Sequence, residues 1–277
     1  MTYQPVVPFS GFAGWRFLSR TMETQQAAFA ASTENQRLDT YFRETIGQID
    51  TAKALVDDRR LLGVALGAFG LDADIDSKYF IRKVLEEGSL DRTALANKLS
   101  DKSYLALTTA FGFGDYSVPR TKLSTFADEI LTKFQTREFE VAVGEADNDL
   151  RMAMSLQRDL PELAAKDMSE TAKWYTIIGS PSLSRVFQTA LNLPASVGAL
   201  DVDQQREIYM SKAQRVYGTS DPAELGVSDK LEVLTRDYLL RAQLSSVTSV
   251  SSQNVALSLL QNAGTQSLSL RLQAQDS

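Results

Sequence analysis

Residues Leu66–Asp76 read LGAFGLDADID, and two later stretches echo them: LTTAFGFGDYS from Leu107 to Ser117 and FQTALNLPASV from Phe187 to Val197. How these three are read decides the fold. Asp72, Asp74 and Asp76 alternate like the first, third and fifth ligands of a calcium loop. Such a loop then needs glycine at its sixth position and a bidentate glutamate at its twelfth. Ser77 and Lys83 occupy those places, so no metal site is expected. A phosphate-cradling glycine loop also fails, because those glycines precede a helix. Here the helical pattern comes before Gly70 and Gly112.

The third reading is three helix ends. Asp58, Ser100 and Ser180 each stand eleven residues before Phe69, Phe111 and Leu191. All three are good N-caps, and Pro181 follows Ser180 in the favoured first-turn position. Gly70, Gly112 and Asn192 come just after the apolar run, and Gly and Asn tolerate the left-handed conformation that closes a helix. Leu71, Phe113 and Leu193 then supply the apolar residue that folds back on the last turn. The spacing predicts three helices of equal length, capped alike. Asp74 or Asp76 is expected to cap the next helix, which contains Tyr79–Leu85. Leu61/Leu183 and Val64/Val186 also match between the first and third copies. They raise a duplication as one origin and convergence on a helix template as the other.

Outward from these stretches, helical spacing dominates. Pro5 and Pro8 mark an extended lead-in over 1–11. Trp15, Leu18, Met22 and Phe29 share a face, predicting an amphipathic helix from Phe12 to Ala31, either core-packed or a partner-binding arm. Between Arg120 and Arg158 there is no proline and Gly144 is the one glycine, so a single long helix is predicted over 119–160, bent near Gly144. The alternation of Phe139, Val141 and Val143 offers a short strand, but the helical period continues on both sides. Ser169 or Asp167 is placed to cap a helix ending near Gly179. Further helices are expected over 181–191, 202–217 and 228–244. The fold class is therefore all-α, a multi-helix array. A duplication would make it two similar lobes, 12–118 and 161–247, flanking the long helix. A Ser/Gln/Leu-rich tail occupies 248–277, with a short helix around Val255–Ala263 and strand-like alternation at Leu268, Leu270 and Leu272.

Composition narrows the chemistry. The 277-residue chain contains no cysteine and no histidine, which removes disulfides, thiol and Ser-His-Asp catalysis, and the usual zinc, haem and iron–sulfur ligand sets. Its net charge of −6 argues against broad nucleic-acid binding. No apolar run is long enough to span a membrane. The N-terminal stretch lacks the basic and apolar regions of a secretory signal peptide.

Three segments carry a resemblance: LLGVALGAFGLDADIDSKYFIRKVLEEG (Leu61–Gly88), ALANKLSDKSYLALTTAFGFGD (Ala94–Asp115) and REFEVAVGEADNDLRMAMSLQRDLPELA (Arg137–Ala164). With them the chain resembles an alphaproteobacterial family catalogued only as a domain of unknown function, from the N-terminal helix to Gln243. The resemblance implies an all-helical fold. Some members are encoded beside flagellar genes, which implies a role in flagellar assembly or motility. It implies no catalytic residues.

Three functions are weighed. The first is a non-enzymatic interaction or assembly protein associated with the flagellum, with flagellar proteins as partners. It would be cytoplasmic, or exported by the flagellar route without a cleaved signal. The second is a helical module for a small ligand, with Trp174, Tyr175, Tyr209 and Tyr217 lining a pocket between lobes or, as the plainer alternative, filling the core. Convergent Arg and Asp groups in such a pocket would favour it. The third is an enzyme using paired carboxylates among Asp72, Asp74, Asp76 and Asp115, for which a buried pair with a raised pKa would be the sign. The expectation is the first, with no catalytic, cofactor-binding or metal-binding residue assigned.

Overall fold

Apolar residues at three- and four-residue spacing fold into helices throughout the structure, a computed structural model that describes residues 3–246. No strand occurs among the described residues, so Phe139–Val143 is helical. The predicted tail, 248–277, with its helix and strand-like segments, lies outside them. The helices are α1 (Gly11–Ala30), α2 (Thr33–Ile46), α3 (Ala52–Asp57), α4 (Arg59–Gly67), α5 (Lys78–Glu87), α6 (Leu95–Lys98) and α7 (Ser103–Phe111). They continue as α8 (Phe126–Ala146), α9 (Asn148–Ala164), α10 (Glu170–Gly179), α11 (Pro181–Ala190), α12 (Val202–Tyr217), α13 (Pro222–Leu225) and α14, described over 228–246.

Two hydrophobic cores organise them. The first joins α2–α5 and α7 to the front half of α8, where Phe126, Ile130, Leu131 and Phe134 are buried. The second gathers α9–α14 around Trp174, Phe187, Tyr209 and Tyr238, and takes Phe139 and Val143 from the back half of α8. Each large side chain removed from water contributes about 1.5–3 kcal/mol, so α8 is anchored in both cores. The N-terminal helix departs from its predicted place in the 12–118 lobe. Trp15, Leu18 and Phe29 of α1 belong to the second core, with Phe29 edge-on to Phe139 at 5.7 Å. The lead-in is tied to the same helix. Buried Gln25 accepts from Val6 N–H at 2.7 Å and donates to Val6 O at 3.2 Å.

The long helix predicted over 119–160 is two helices. Arg120–Lys122 form a separate 3-10 turn, and α8 stops at Ala146. Asp147 is extended (φ −152°, ψ 106°), and its carboxylate accepts from Asp149 N–H at 2.9 Å and Leu150 N–H at 3.1 Å. The bend lies there, not at Gly144. Beyond it α9 folds back along α8. Gly144 lies against the Arg151 side chain, and Arg158 pairs with Glu140. The apolar period hid the break because Val143 and Leu150 are seven residues apart, two helical turns, and both reach the second core.

The three helix ends close as predicted on the left-handed side. Gly70, Gly112 and Asn192 have φ of 72°, 67° and 51°, and Asn192 is the one positive-φ non-glycine among the described residues. Leu71 N–H reaches Leu66 O at 3.0 Å and Leu193 N–H reaches Gln188 O at 2.8 Å, the long bond of a Schellman motif. Gly112 uses the simpler form, its N–H bonding Thr108 O at 2.8 Å. At the other ends, Asp58, Ser169 and Ser180 cap α4, α10 and α11. Ser100 does not cap α7. Asp101 takes Ser103 N–H at 2.8 Å instead, and α7 starts three residues beyond Ser100. Neither Asp74 nor Asp76 caps α5, which starts after Ser77 without a side-chain cap. Asp72–Asp74 form a 3-10 turn that directs these acids elsewhere.

Candidate functional site

Where the two lobes face each other, a cleft of about 610 Å³ opens. One wall is the turn after α4 at Phe69–Gly70 and the segment leading into α7 at Ser100–Ser103. The floor is Arg137 of α8 and the face of α9 from Asn148 to Asp159. The far wall is Tyr175, Thr176 and the start of α11, including Ser182 and Arg185. The caps that stop and start these helices therefore also shape the cleft.

Its charge runs against that of the whole chain. Five cations line it (Lys102, Arg137, Arg151, Arg158 and Arg185) against two carboxylates, Asp101 and Asp159. Both acids are engaged: Asp101 accepts from Ser103 N–H at the start of α7, and Asp159 accepts from Arg158 Nε at 2.8 Å. Arg158 also pairs with Glu140, which is buried beneath the floor. Burial opposes the Arg158 charge, but Asp159 and Glu140 outweigh it and hold its pKa above the ordinary value. Burial pushes the Glu140 carboxyl up against the pull of Arg158. Lys102 donates to the carbonyls of Asn97 and Leu99, and Arg185 stands 4.0 Å from Asp149.

Arg137 differs from these. Its guanidinium lies against Gly70, where an added Cβ would stand 2.8 Å from Nη1. It makes no hydrogen bond and no ion pair among the described residues. Burial, and then the neighbouring Arg158 charge, lower its pKa, while Asp159, Glu140 and Glu162 only partly compensate. A guanidinium offers five N–H donors, and those of Arg137 remain open to an acceptor entering the cleft. The Arg151 guanidinium, on the same floor, likewise has no hydrogen-bond or ion-pair partner among the described residues. Glu138, next to Arg137 in sequence, is half-buried. Its pKa rises from 4.5 to about 7, through burial first and the charge of Asp72 second, with Arg151 pulling the other way.

The residues singled out in the sequence fall as follows. Trp174 and Tyr209 are core: the indole N–H donates to Ser220 O at 2.7 Å, and the two rings meet edge-on at 6.0 Å. Tyr217 is half-buried with its hydroxyl 3.4 Å from Ala190 O. Tyr175 alone of the four lines the cleft. Its hydroxyl donates to Asp203 and accepts from Arg206 Nη1 at 2.7 Å. The loop acids disperse. Asp74 accepts from Tyr104 Oη at 2.6 Å, Asp76 pairs with Arg59 at 2.7 Å, and Asp115 takes the Ser89 hydroxyl with the N–H groups of Ser89 and Leu90. Burial works against the Asp115 charge, but those bonds hold its pKa below the usual range. No group of three or more potential metal ligands assembles among the described residues. The arginines were legible only as helix-surface charge, since one-dimensional spacing does not say which faces of two lobes will oppose each other.

The family model described as protein of unknown function (DUF1217) matches residues 68–225, more than half of the chain. The chain belongs to this family. The DUF1217 match takes in every residue that lines the cleft, from Phe69 to Arg185, and both of its walls. The crystal structure of a protein from Agrobacterium tumefaciens is similar in fold, with a TM-score of 0.67 and 26% identity. The similarity covers 85% of this chain and 97% of that one. No curated protein matches the chain. No helix among the described residues is long and apolar enough to cross a membrane.

Proposed function

We propose that this DUF1217 protein acts by binding, without catalysis, and that the inter-lobe cleft receives an anionic group of a protein partner. The observation that carries the reading is Arg137, a half-buried guanidinium without an acceptor, on the floor of a cleft where cations outnumber carboxylates five to two. A bound carboxylate or phosphate supplies what such a group lacks, and charge-assisted bonds are the strong ones. The motility role implied by the family resemblance names flagellar components as the first partners to try. The protein would then act in the cytoplasm or after export by the flagellar route.

The test uses a motile strain that carries the chain. Wild type, Arg137→Glu, Arg151→Glu and the control Arg20→Glu, on the exposed face of α1, are crosslinked in cells and fractionated, and swimming is scored. The expected result is a crosslinked partner and normal swimming for wild type and control, and loss of both for the two cleft variants. Identical behaviour of all four would refute the reading.

One observation favours catalysis instead. The Glu138 carboxyl is raised to about 7 by burial first and the charge of Asp72 second, a value suited to proton transfer at neutral pH. Neither residue lines the cleft. A Glu138→Gln protein that keeps its partner but loses its effect on swimming would favour the enzyme.

A further inference from the structure

Resting on the reading of the cleft as an anion-binding surface, we infer that its occupant is an extended acidic peptide segment whose two carboxylates, three residues apart, pair with Arg137 and Arg151.

Length comes first. The floor runs along α9 from Asn148 to Asp159, eleven residue steps or about 16 Å. A polyproline-II segment rises about 3.1 Å per residue, so about five residues fill that length. Spacing comes second. Because α9 folds back along α8 and Arg158 pairs with Glu140, three residues beyond Arg137, Arg137 stands near the level of Arg158 and feels its charge. Arg158 is seven residues beyond Arg151, about 10 Å along the helix. Arg158 is consumed by Glu140, Asp159 and Ser155. The two guanidiniums left without partners among the described residues, Arg137 and Arg151, therefore lie on the order of 10 Å apart along one floor. In polyproline II, residues three apart lie on the same side of the chain, about 9 Å from one another. A flat β-strand would turn them to opposite faces. Lining comes third. Ser100, Asn148 and Ser182 line the cleft with side-chain donors and acceptors for a peptide backbone.

The experiment is fluorescence polarisation on the full chain at low salt, with labelled Ser-Glu-Pro-Ser-Glu-Ser. A peptide with both glutamates replaced by glutamine, a peptide with adjacent glutamates, and inorganic pyrophosphate as competitor complete the set. Expected is saturable binding of the first peptide that weakens as salt is raised. Arg137→Gln and Arg151→Gln should each lose it tenfold or more, Arg137→Lys should recover part, and Arg20→Gln should change nothing. Unfolding midpoints of all variants show whether loss of binding is loss of fold. Equal binding of the glutamine peptide or the adjacent-glutamate peptide overturns the inference. Pyrophosphate binding that depends on Arg137 and Arg151, with no peptide binding, also overturns it but leaves the anionic cleft standing. If no anion senses either arginine, both this inference and the proposed function fall.

Discussion

A side chain at Gly70 meets two separate obstacles. The backbone is left-handed, with φ 72°, and a Cβ would press on Arg137 Nη1 at 2.8 Å. At Gly112 the φ is 67° and the obstacle is the Tyr116 ring, 2.7 Å away. Valine at either position should cost about 1–3 kcal/mol, read as a lower urea midpoint at constant slope. Gly70→Asn should be far milder in urea, since Asn192 already serves the matching helix end, and Asn192→Gly should be neutral or slightly stabilising. Yet Asn at 70 still displaces Arg137, so it should weaken partner binding more than stability. Tolerated valines at both glycines would show that neither helix needs a left-handed stop.

Among the elements, the α8–α9 hairpin decides the architecture, and a single carboxylate marks its turn. Asp147→Ala removes the acceptor for two N–H groups at the start of α9 and should cost about 1 kcal/mol. Asp147→Asn should retain most of that stability. Thermal or urea unfolding of the pair is the check, and an alanine variant as stable as the asparagine one would mean that packing alone sets the turn. The apolar period does not reveal this turn, for a physical reason. A cap is one residue long and, where helices on either side of it keep the same apolar phase, it leaves no mark on periodicity. The caps of α4, α10 and α11 were legible because Asp58, Ser169 and Ser180 stand where one apolar run ends and another begins.

For the whole molecule, Glu138 links stability to pH. Its carboxyl keeps a proton in the folded state between the ordinary pKa of 4.5 and about 7, while the unfolded chain has already released it. The folded state therefore binds more protons across that window, and this group's contribution to stability falls as pH rises from 4.5 to 7. Glu138→Gln should raise the unfolding midpoint at pH 8 and change it little at pH 5. The same gain at both pH values would show that the carboxyl titrates normally. The two cores add an expectation of their own. Because α8 has Phe134 in one and Phe139 in the other, a destabilising change in either half of it is felt by both lobes. The cleft lies between those lobes, so no stretch of sequence contains it.

The sequence by itself determined the helical class, the left-handed helix stops at Gly70, Gly112 and Asn192, and three of the caps. It also excluded histidine and thiol chemistry. These follow from backbone sterics, from hydrogen bonds within a few residues, and from composition, all of which are local. Tertiary structure alone decided that α1 joins the second core, that α8 and α9 turn back on each other, and that Arg137 and Arg151 share a floor. Those outcomes depend on which apolar faces bury each other across tens or hundreds of residues. Arg158 shows the difference: its position in the chain does not reveal that Glu140, eighteen residues earlier, would neutralise it and leave Arg137 without an acceptor.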